Sequence, residues 1–260
     1  MPKEKDSDIN FDQRSMRFQR NIYRSAKGKI RLAVLARDFA DYLPSNSVMD
    51  GARVLDAGAG QGHFALTLAR QGLQLTLCDH SKDMLQEAAL RFTQAGLQAE
   101  LIHSRFQDHI ENENRQFDIV LCHALAEWLE NPESVFQLLK VLKPGGIFSL
   151  IFYNFHGLEF KNLLRTNFKR FDANNFKAWR GSLTPTHPLK PEEVLMWAET
   201  HKLQLLTHSG IRVFHDYIFS REDREREPEV LLDKELFYSN QEPYWKLGRY
   251  IHFLFSKPNI

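Results

Sequence analysis

Several features are scarce or missing in this chain of 260 residues, and each absence narrows its possible functions. Cysteine occurs only at Cys78 and Cys122, and their spacing matches no metal-binding motif. No apolar run approaches the roughly 20 residues that a membrane-spanning helix requires. The polar start of the chain does not resemble a secretory signal. We therefore expect a cytoplasmic protein with buried thiols, no metal, no membrane contact and no obligate protein partner.

An excess of charge is also missing, since 34 basic residues oppose 33 acidic ones. Net charge alone gives no argument for a nucleic-acid partner, but the basic residues are clustered. Residues 14–31 hold seven of them and no acid, and residues 161–190 hold seven against Asp172 alone. Aromatic residues are interleaved with both stretches: Phe18, Tyr23, Phe168, Phe171, Phe176 and Trp179. Such stretches suit contact with single-stranded RNA, although solvated helix faces have the same composition.

Most of the chain alternates between short apolar runs and helical segments, which is typical of a parallel sheet covered by helices. The predicted strands are 53–55, 74–78, 100–103, 117–122, 147–152, 203–206 with 211–214, and 250–255. The predicted helices are 11–43 with a break at Gly28, 64–70, 81–95, 134–142, 191–202 and 229–238. No internal repeat or low-complexity tract interrupts this pattern.

The alternation stops after the fifth predicted strand. Residues 153–190 are aromatic, basic and rich in asparagine, which favours an inserted cap. We predict one domain over residues 1–260. It divides into an N-terminal helical region (1–50), a core (51–152), the insertion (153–190) and a C-terminal part of the sheet with helices (191–260).

The most informative stretch runs from Val54 to His63, where a buried strand leads into a glycine turn and a helix. Glycines at such a turn allow a ligand to approach the backbone, and a helix start presents free N–H groups to it. A plain strand–turn–helix corner has the same pattern. A dinucleotide site predicts Gly-x-Gly-x-x-Gly. This chain instead has Gly-x-Gly-x-Gly, with the acid Asp56 two residues before Gly58.

Further candidate residues follow the second, third and fourth predicted strands, at the end of the sheet where open α/β folds bind ligands. Asp79 ends the second strand and can accept both hydroxyls of a ribose, although it could also cap the next helix. Phe106 and Gln107 follow the third strand in a predicted loop and could hold an adenine. His123 ends the fourth strand, where a structural histidine is the alternative.

Together with Leu142 to Gly146 before the fifth strand, these motifs resemble the class I S-adenosylmethionine-dependent methyltransferases. The resemblance covers about residues 53–152. It implies a Rossmann-like, seven-stranded α/β sheet with an antiparallel last strand. In that fold the first strand lies between the second and fourth, which would hold the two cysteines about 9–10 Å apart, too far for a disulfide.

Motifs in the flanks, at 20–31, 152–158, 210–217 and 241–252, resemble the family of bacterial tRNA 5-carboxymethoxyuridine methyltransferases. This resemblance implies a binding site for S-adenosyl-L-methionine. Its residues are Arg31 at the methionine carboxylate, Gly58, Ala59 and Gly60 in the turn, Asp79 at the ribose, Phe106 and Gln107 at the adenine, and His123 near the sulfonium. The family often has glycine where this chain has Ala59.

The reaction implied by this resemblance methylates the carboxylate of 5-carboxymethoxyuridine at the wobble position of a tRNA, so the partner is an anticodon loop. A carboxylic acid with a pKa of about 4 is ionised at pH 7, so we predict no catalytic acid or base. Polar, modestly charged groups should orient the substrate instead, because a strong cation clamp would stabilise the ground state. The substrate-binding residues predicted for this role are Tyr153, Asn154, Arg212, His215 and Tyr217.

Two other functions fit part of the sequence. A carboxylate or small-molecule O-methyltransferase, acting on a metabolite or an acyl carrier, would share residues 53–152. A protein that binds the cofactor or tRNA without turnover, or a chaperone-like module, would also share them. The basic flanks and the C-terminal motifs argue against the first of these.

Overall fold

A computed structural model describes residues 25–43, 51–168, 185 and 187–259. The strands are β1 Arg53–Ala57, β2 Gln74–Asp79, β3 Glu100–His103, β4 Phe117–His123, β5 Leu142–Tyr153, β6 Gln204–Ile211 and β7 Tyr250–Ser256. The α-helices are α1 Ala26–Ala40, α2 His63–Ala69, α3 Lys82–Gln94, α4 Phe106–Asn112, α5 Phe155–Leu164, α6 Pro191–Thr200, α7 Arg221–Arg226 and α8 Pro228–Tyr238. Shorter 3₁₀ helices span Ala126–Trp128, Pro132–Lys140 and Tyr244–Leu247.

The described strands form one sheet of seven, in the order β3-β2-β1-β4-β5-β7-β6. Strands β1 to β5 pair in parallel, and β7 runs antiparallel to both of its neighbours, β5 and β6. This confirms the predicted seven-stranded sheet with an antiparallel last strand. As a result, the carboxyl ends of β1 to β6 and the start of β7 lie at the same end of the sheet.

Two hydrophobic clusters cover the two faces of this sheet. Alternate residues of a strand point to opposite faces, so Val54 belongs to one cluster and Leu55 to the other. Helices α1, α2 and α3 contribute to the cluster of Val54, and α4, α6 and the 132–140 helix contribute to that of Leu55. Burial on both faces explains why the strands are continuous apolar runs in the sequence.

The two cysteines flank the central strand. Cys78 of β2 and Cys122 of β4 are both in register with Ala57 of β1, so two strand spacings separate them, or about 9–10 Å. Both are buried, free thiols. The prediction that they cannot form a disulfide is confirmed.

Three predicted elements differ from the structure. Gly28 does not break a helix; it lies in the first turn of α1, and its N–H donates to the carbonyl of Ser25. The helix predicted at 134–142 is a 3₁₀ helix that begins at Pro132. The loop predicted at 105–108 is the start of α4, where Phe106 and Ile110 lie one turn apart and are both buried.

Strand boundaries also differ near the site. The fifth strand begins at Leu142, five residues earlier than predicted, because Phe117 pairs with Leu142 before the register shifts. Strand β6 ends at Ile211 rather than continuing to Phe214, because Arg212 has a φ of +65° and turns the chain away. The remaining calls on residues 1–24, 44–50 and 169–184 lie outside the described residues, including the aromatic residues Phe18, Tyr23, Phe171, Phe176 and Trp179.

Candidate active site

A cavity of about 370 Å³ lies at the carboxyl end of the sheet, a size typical of small-molecule sites. It extends past the ends of β1, β2 and β4 to the end of β6 and the start of β7. All eight residues predicted to bind a cofactor line this one cavity: Arg31, Gly58, Ala59, Gly60, Asp79, Phe106, Gln107 and His123. The fold therefore brings together side chains that are up to 92 positions apart in the sequence.

The glycine turn is held by its own hydrogen bonds. The N–H groups of Gly58 and Ala59 both donate to the carbonyl of Cys78, at 2.8 and 3.1 Å. These hydrogen bonds fix the shape of the turn. Gly58 has a φ of +71°, and a Cβ added there would lie 2.9 Å from Leu125. The backbone angle therefore favours glycine, and any larger residue would also require the Leu125 side chain to shift.

Ala59 fits the turn without strain. Positive φ angles at non-glycine positions of the described chain occur at Ala124, Thr166, Lys202 and Arg212. Ala59 is not among them, so an L-residue is tolerated there. Its methyl group packs against the cluster that contains Val54.

Asp79 connects the turn to the second strand. Its Oδ2 accepts a hydrogen bond of 2.8 Å from the N–H of Gly60, and its Oδ1 accepts one of 2.8 Å from the N–H of Ser81. A carboxylate has about four lone-pair positions, so it can accept further hydrogen bonds from the cavity. The side chain of Ser81 accepts from the N–H of Met84 and caps α3.

Asp56 is a second acid in the cavity, and it was noted in the sequence but not assigned to the site. Burial, together with the negative charge of Asp79, raises the pKa of Asp56 to about 7. The neighbouring histidines stay neutral near that pH, because burial lowers the pKa of His63 to about 3 and that of His123 well below its ordinary value. A cationic ligand would favour the ionised form of Asp56.

We expect the affinity for S-adenosylmethionine to fall roughly eightfold between pH 7.5 and pH 6. Below its folded pKa Asp56 must release a proton before it can attract a cation. Calorimetry over this range checks the effect. Asp56→Asn is the matched control, because titration of the ligand and of Glu127, whose pKa burial also raises to about 7, remains in that variant. An equal pH dependence in both proteins would contradict the prediction.

The other cofactor positions are held by packing. Phe106 is buried against the core and presents only part of its ring to the cavity, while Gln107 is half-buried beside it. Arg31 projects from α1, and its guanidinium lies 4.6 Å from the centre of the Tyr250 ring. This contact holds a cation in the lining of the cavity.

His123 belongs to a buried chain of polar side chains. Its Nε2 lies 2.7 Å from the hydroxyl of Ser149, which lies 2.9 Å from Nε2 of His252. Nδ1 of His252 is 2.7 Å from Asp38, and neighbouring Arg37 binds the same carboxylate. Hydrogen bonds from His252 hold the pKa of Asp38 below its ordinary value despite burial. The chain fixes the orientation of the His123 ring.

Ser149→Ala should therefore weaken S-adenosylhomocysteine binding as well as stability, because it removes the bridge between the two imidazoles. Ser209→Ala is the matched control. The hydroxyl of Ser209 is also buried and donates to Asp38 at 2.9 Å, but it does not touch His123. Urea unfolding should show a loss of about 1–3 kcal/mol for each variant. Calorimetry should show weaker binding only for Ser149→Ala, and equal binding in both variants would contradict the role given to the bridge.

The far end of the cavity is cationic. Three side chains surround the carboxylate of Asp216: Arg212 at 3.4 Å, Lys161 at 3.6 Å and Arg249 at 3.7 Å. Nδ1 of His215 lies 3.0 Å from the same carboxylate. Despite its burial, these positive charges hold the pKa of Asp216 well below its ordinary value. Burial and the neighbouring arginines lower the pKa of Lys161 to about 8.

Of the five residues predicted to contact substrate, only Arg212 lines this cavity. Asn154 caps α5 and donates to the carbonyls of Lys246 and Gly248. Tyr217 donates to the carbonyl of Leu247. His215 and Tyr153 are buried outside the cavity lining, the latter beneath the guanidinium of Arg249. Substrate contact by these four remains a prediction.

Three residues that line the cavity were not predicted from the sequence to belong to the site: Lys161, Asp216 and Arg249. Lys161 stands at the start of a basic stretch, but nothing distinguishes it there from its neighbours. Asp216 and Arg249 lie within the motifs at 210–217 and 241–252, and only the pairing of β6 with β7 brings them together.

In the described part of the chain, no helix is long and apolar enough to cross a bilayer. The same residues contain no His, Cys, Asp and Glu cluster suited to a metal ion.

The fold and the site define a class I S-adenosylmethionine-dependent methyltransferase. Residues 54–146 match the family model described as a methyltransferase domain. A solved methyltransferase from Clostridium acetobutylicum superposes with a TM-score of 0.60 at 16% identity, covering 95% of this chain and 99% of that one. The plantazolicin methyltransferase BpumL, solved with S-adenosylhomocysteine, gives 0.57 at 18% identity, covering 95% and 92%.

The chain belongs, more narrowly, to the tRNA 5-carboxymethoxyuridine methyltransferase family. It is 39% identical to the Escherichia coli protein of that name over 254 residues, which cover 96% of this chain and 97% of the relative. A ubiquinone biosynthesis O-methyltransferase of Vibrio cholerae is 38% identical over 97 residues only, covering 37% of this chain and 40% of the relative.

Proposed function

We propose that this protein transfers a methyl group from S-adenosylmethionine to the carboxylate of 5-carboxymethoxyuridine at the wobble position of a tRNA, giving the methyl ester. The observation that carries the proposal is the continuity of the cavity. Acids and the glycine turn lie at one end, at Asp56, Gly58 and Asp79, and cations lie at the other, at Arg212 and Arg249. The first set suits a cationic nucleoside and the second suits an anionic substrate.

The residues present fit this cofactor. Asp79 would hold the ribose hydroxyls, Phe106 and Gln107 would contact the adenine, and Arg31 would pair with the methionine carboxylate; all four line the cavity. The buried acid Asp56 lies in the same cavity and attracts the amino group. When bound, the cofactor supplies the methyl group on a positively charged sulfur. No metal ligand is needed for any of these contacts.

The chain contributes orientation rather than acid–base chemistry. The substrate carboxylic acid, with a pKa of about 4, is already ionised at pH 7 and needs no general base. Catalysis would then depend on holding one of its oxygens in line with the transferred methyl group at about 3 Å, which would lower the entropic part of the barrier.

The anticodon loop is the part of the tRNA that the site receives, because its bases are unstacked and can enter a pocket. Arg165 and Phe168, which are exposed near Lys161, are suited to backbone contact and stacking. The basic residues of the stretches 14–31 and 161–190 give the chain the positive charge that phosphate contact requires. A tRNA substrate suits a cytoplasmic enzyme.

Incubation of the protein with S-adenosylmethionine and tRNA from a strain that lacks the gene tests the proposal. Nucleoside mass spectrometry should detect the methyl ester of 5-carboxymethoxyuridine. Ribonuclease treatment of the same strain's extract before incubation should remove methyl transfer. Transfer that survives ribonuclease would indicate a small-molecule substrate, and binding without any transfer would exclude enzymatic activity.

A further inference from the structure

The cationic end of the cavity carries more positive charge than its own acid neutralises. Lys161 on α5, Arg212 after β6 and Arg249 before β7 approach one carboxylate, that of Asp216. Lys27 of α1 lines the same end of the cavity. A buried surplus of charge is costly unless a ligand of opposite charge compensates it, and the cavity leads from these cations to the cofactor residues.

The contacts within this cluster are loose. The N–O distances of 3.4–3.7 Å are longer than the 2.7–3.2 Å of a typical N–H···O hydrogen bond. Guanidinium and ammonium groups together offer up to eight N–H donors in Arg212 and Lys161 alone, and one carboxylate cannot accept them all. The cations therefore keep donor capacity for a second anion.

The backbone at Arg212 supports a functional role. Its φ of +65° lies in the left-handed region, which is unfavourable for an L-residue with a Cβ. Such strain is retained where the surrounding structure fixes it, and it is concentrated at functional sites. Here the buried carboxylate of Glu235 accepts hydrogen bonds from the N–H groups of Val213, Phe214 and His215. It thereby holds the segment between Arg212 and Asp216.

We propose that Lys161, Arg212 and Arg249 bind the carboxylate of the substrate uridine, and that Asp216 is a positioning residue that weakens their hold on it. This inference rests on the function proposed above. Methyl transfer joins an anion to a cation, so charge is lost in the transition state. Cations that hold the substrate carboxylate too strongly would stabilise the ground state and slow the reaction. Asp216 competes for the same N–H groups and limits that effect.

The sequence suggested that a strong cation clamp is unsuited to this reaction. The structure contains the cations together with the acid that moderates them. Asp216 also keeps the cationic groups arranged before the substrate arrives, because each already contacts it. The substrate carboxylate then meets oriented donors rather than mobile side chains.

Steady-state kinetics on three variants of the full chain test the inference, with tRNA carrying 5-carboxymethoxyuridine as substrate. Lys161→Met should raise the KM for this tRNA about tenfold and leave S-adenosylhomocysteine affinity within about twofold. Asp216→Asn should lower the KM about threefold and lower kcat about tenfold, because the ground state alone is stabilised. The charge-matched double variant, Lys161→Met with Asp216→Asn, should return both constants toward the wild-type values.

A competitor tRNA with unmodified uridine at the wobble position lacks the carboxylate. It therefore distinguishes contacts to the carboxylate from contacts to the rest of the tRNA. Its inhibition constant should be unchanged by Lys161→Met and by Asp216→Asn. Arg165→Met is the matched control, because Arg165 directly follows the same helix but lies outside the cavity lining. Any effect it has should apply equally to both tRNAs. Parallel changes for both tRNAs in the Lys161 variant would mean that the cluster contacts the tRNA backbone, which would overturn the inference.

The other outcomes are also decisive. A raised KM with unchanged kcat in a folded Asp216→Asn protein would contradict the moderating role. If circular dichroism shows that this variant does not fold, the subsite is tested with Lys161→Met and Arg212→Gln instead. Each is compared on the tRNA that carries 5-carboxymethoxyuridine and on the unmodified tRNA. Absence of methyl ester with the wild-type protein would refute the proposed function itself. Normal wild-type turnover with unchanged variants would refute only the subsite.

Discussion

Replacement of Asp79 by alanine should lower the affinity for S-adenosylhomocysteine by about 100-fold or more. The carboxylate accepts hydrogen bonds from Gly60 and Ser81, so it fixes the glycine turn as well as the proposed ribose contact. Hydrogen bonds to a charged group contribute about 1.5–3 kcal/mol each, and two ribose hydroxyls would be left without an acceptor. Each 1.4 kcal/mol corresponds to about tenfold in affinity.

Isothermal calorimetry measures this loss directly. Asp79→Asn keeps the shape and one oxygen of the side chain, so its affinity should lie between those of the wild type and the alanine variant. Asp83→Asn is the matched control, since it removes a carboxylate from the first turn of α3 but does not line the cavity. Binding by Asp79→Ala within about threefold of the wild type would remove Asp79 from the cofactor site.

Replacement of Glu235 by alanine should cost about 3–5 kcal/mol of unfolding free energy. The carboxylate is fully buried and accepts the backbone N–H groups of Val213 at 2.7 Å, Phe214 at 3.0 Å and His215 at 2.6 Å. Burial raises the pKa of Glu235, and these three donors oppose the rise. Each donor left without an acceptor costs about 1–3 kcal/mol.

Urea denaturation gives the free energy of unfolding for this series. Glu235→Gln retains one carbonyl oxygen and should lose about half as much stability. Asp233→Ala, an exposed acid on the same helix, should change stability by about 0.5 kcal/mol or less. Glu235→Gln should also raise the KM for tRNA more than it weakens S-adenosylhomocysteine binding, because the segment it holds lies between Arg212 and Asp216. A stability loss for Glu235→Ala as small as that of Asp233→Ala would contradict the role given to the carboxylate.

The two halves of the cavity differed in how far the sequence could predict them. Gly58 directly follows β1, and Asp79 and His123 are the last residues of β2 and β4. The carboxyl ends of neighbouring parallel strands meet at one end of a sheet. Local patterns were therefore sufficient to place them. Asp216 and Arg249 are brought together only because β7 enters the sheet in the opposite direction, which no local pattern encodes.

Smaller errors have local causes. The sequence around Arg105 to Asp108 reads as a loop because α4 is short, and its one signal is the pair Phe106 and Ile110. Strand β6 was extended past Ile211 because Val213 and Phe214 are apolar. In the structure both residues come after a turn at Arg212, which has a positive φ. The segment after the turn is held by Glu235, a residue more than twenty positions away.

The position of β7 also has a consequence for biosynthesis. Strand β6 pairs with no other strand of the described sheet than β7, whose residues 250–256 are the last of the seven strands to be translated. On the ribosome, β1 to β5 can assemble as each emerges, whereas β6 must wait for its partner. The cationic half of the cavity, which depends on Arg212 and Arg249, is thus completed only after β7 has been synthesised. A nascent chain can therefore form the glycine turn at one end of the cavity before the cations at the other end are brought together.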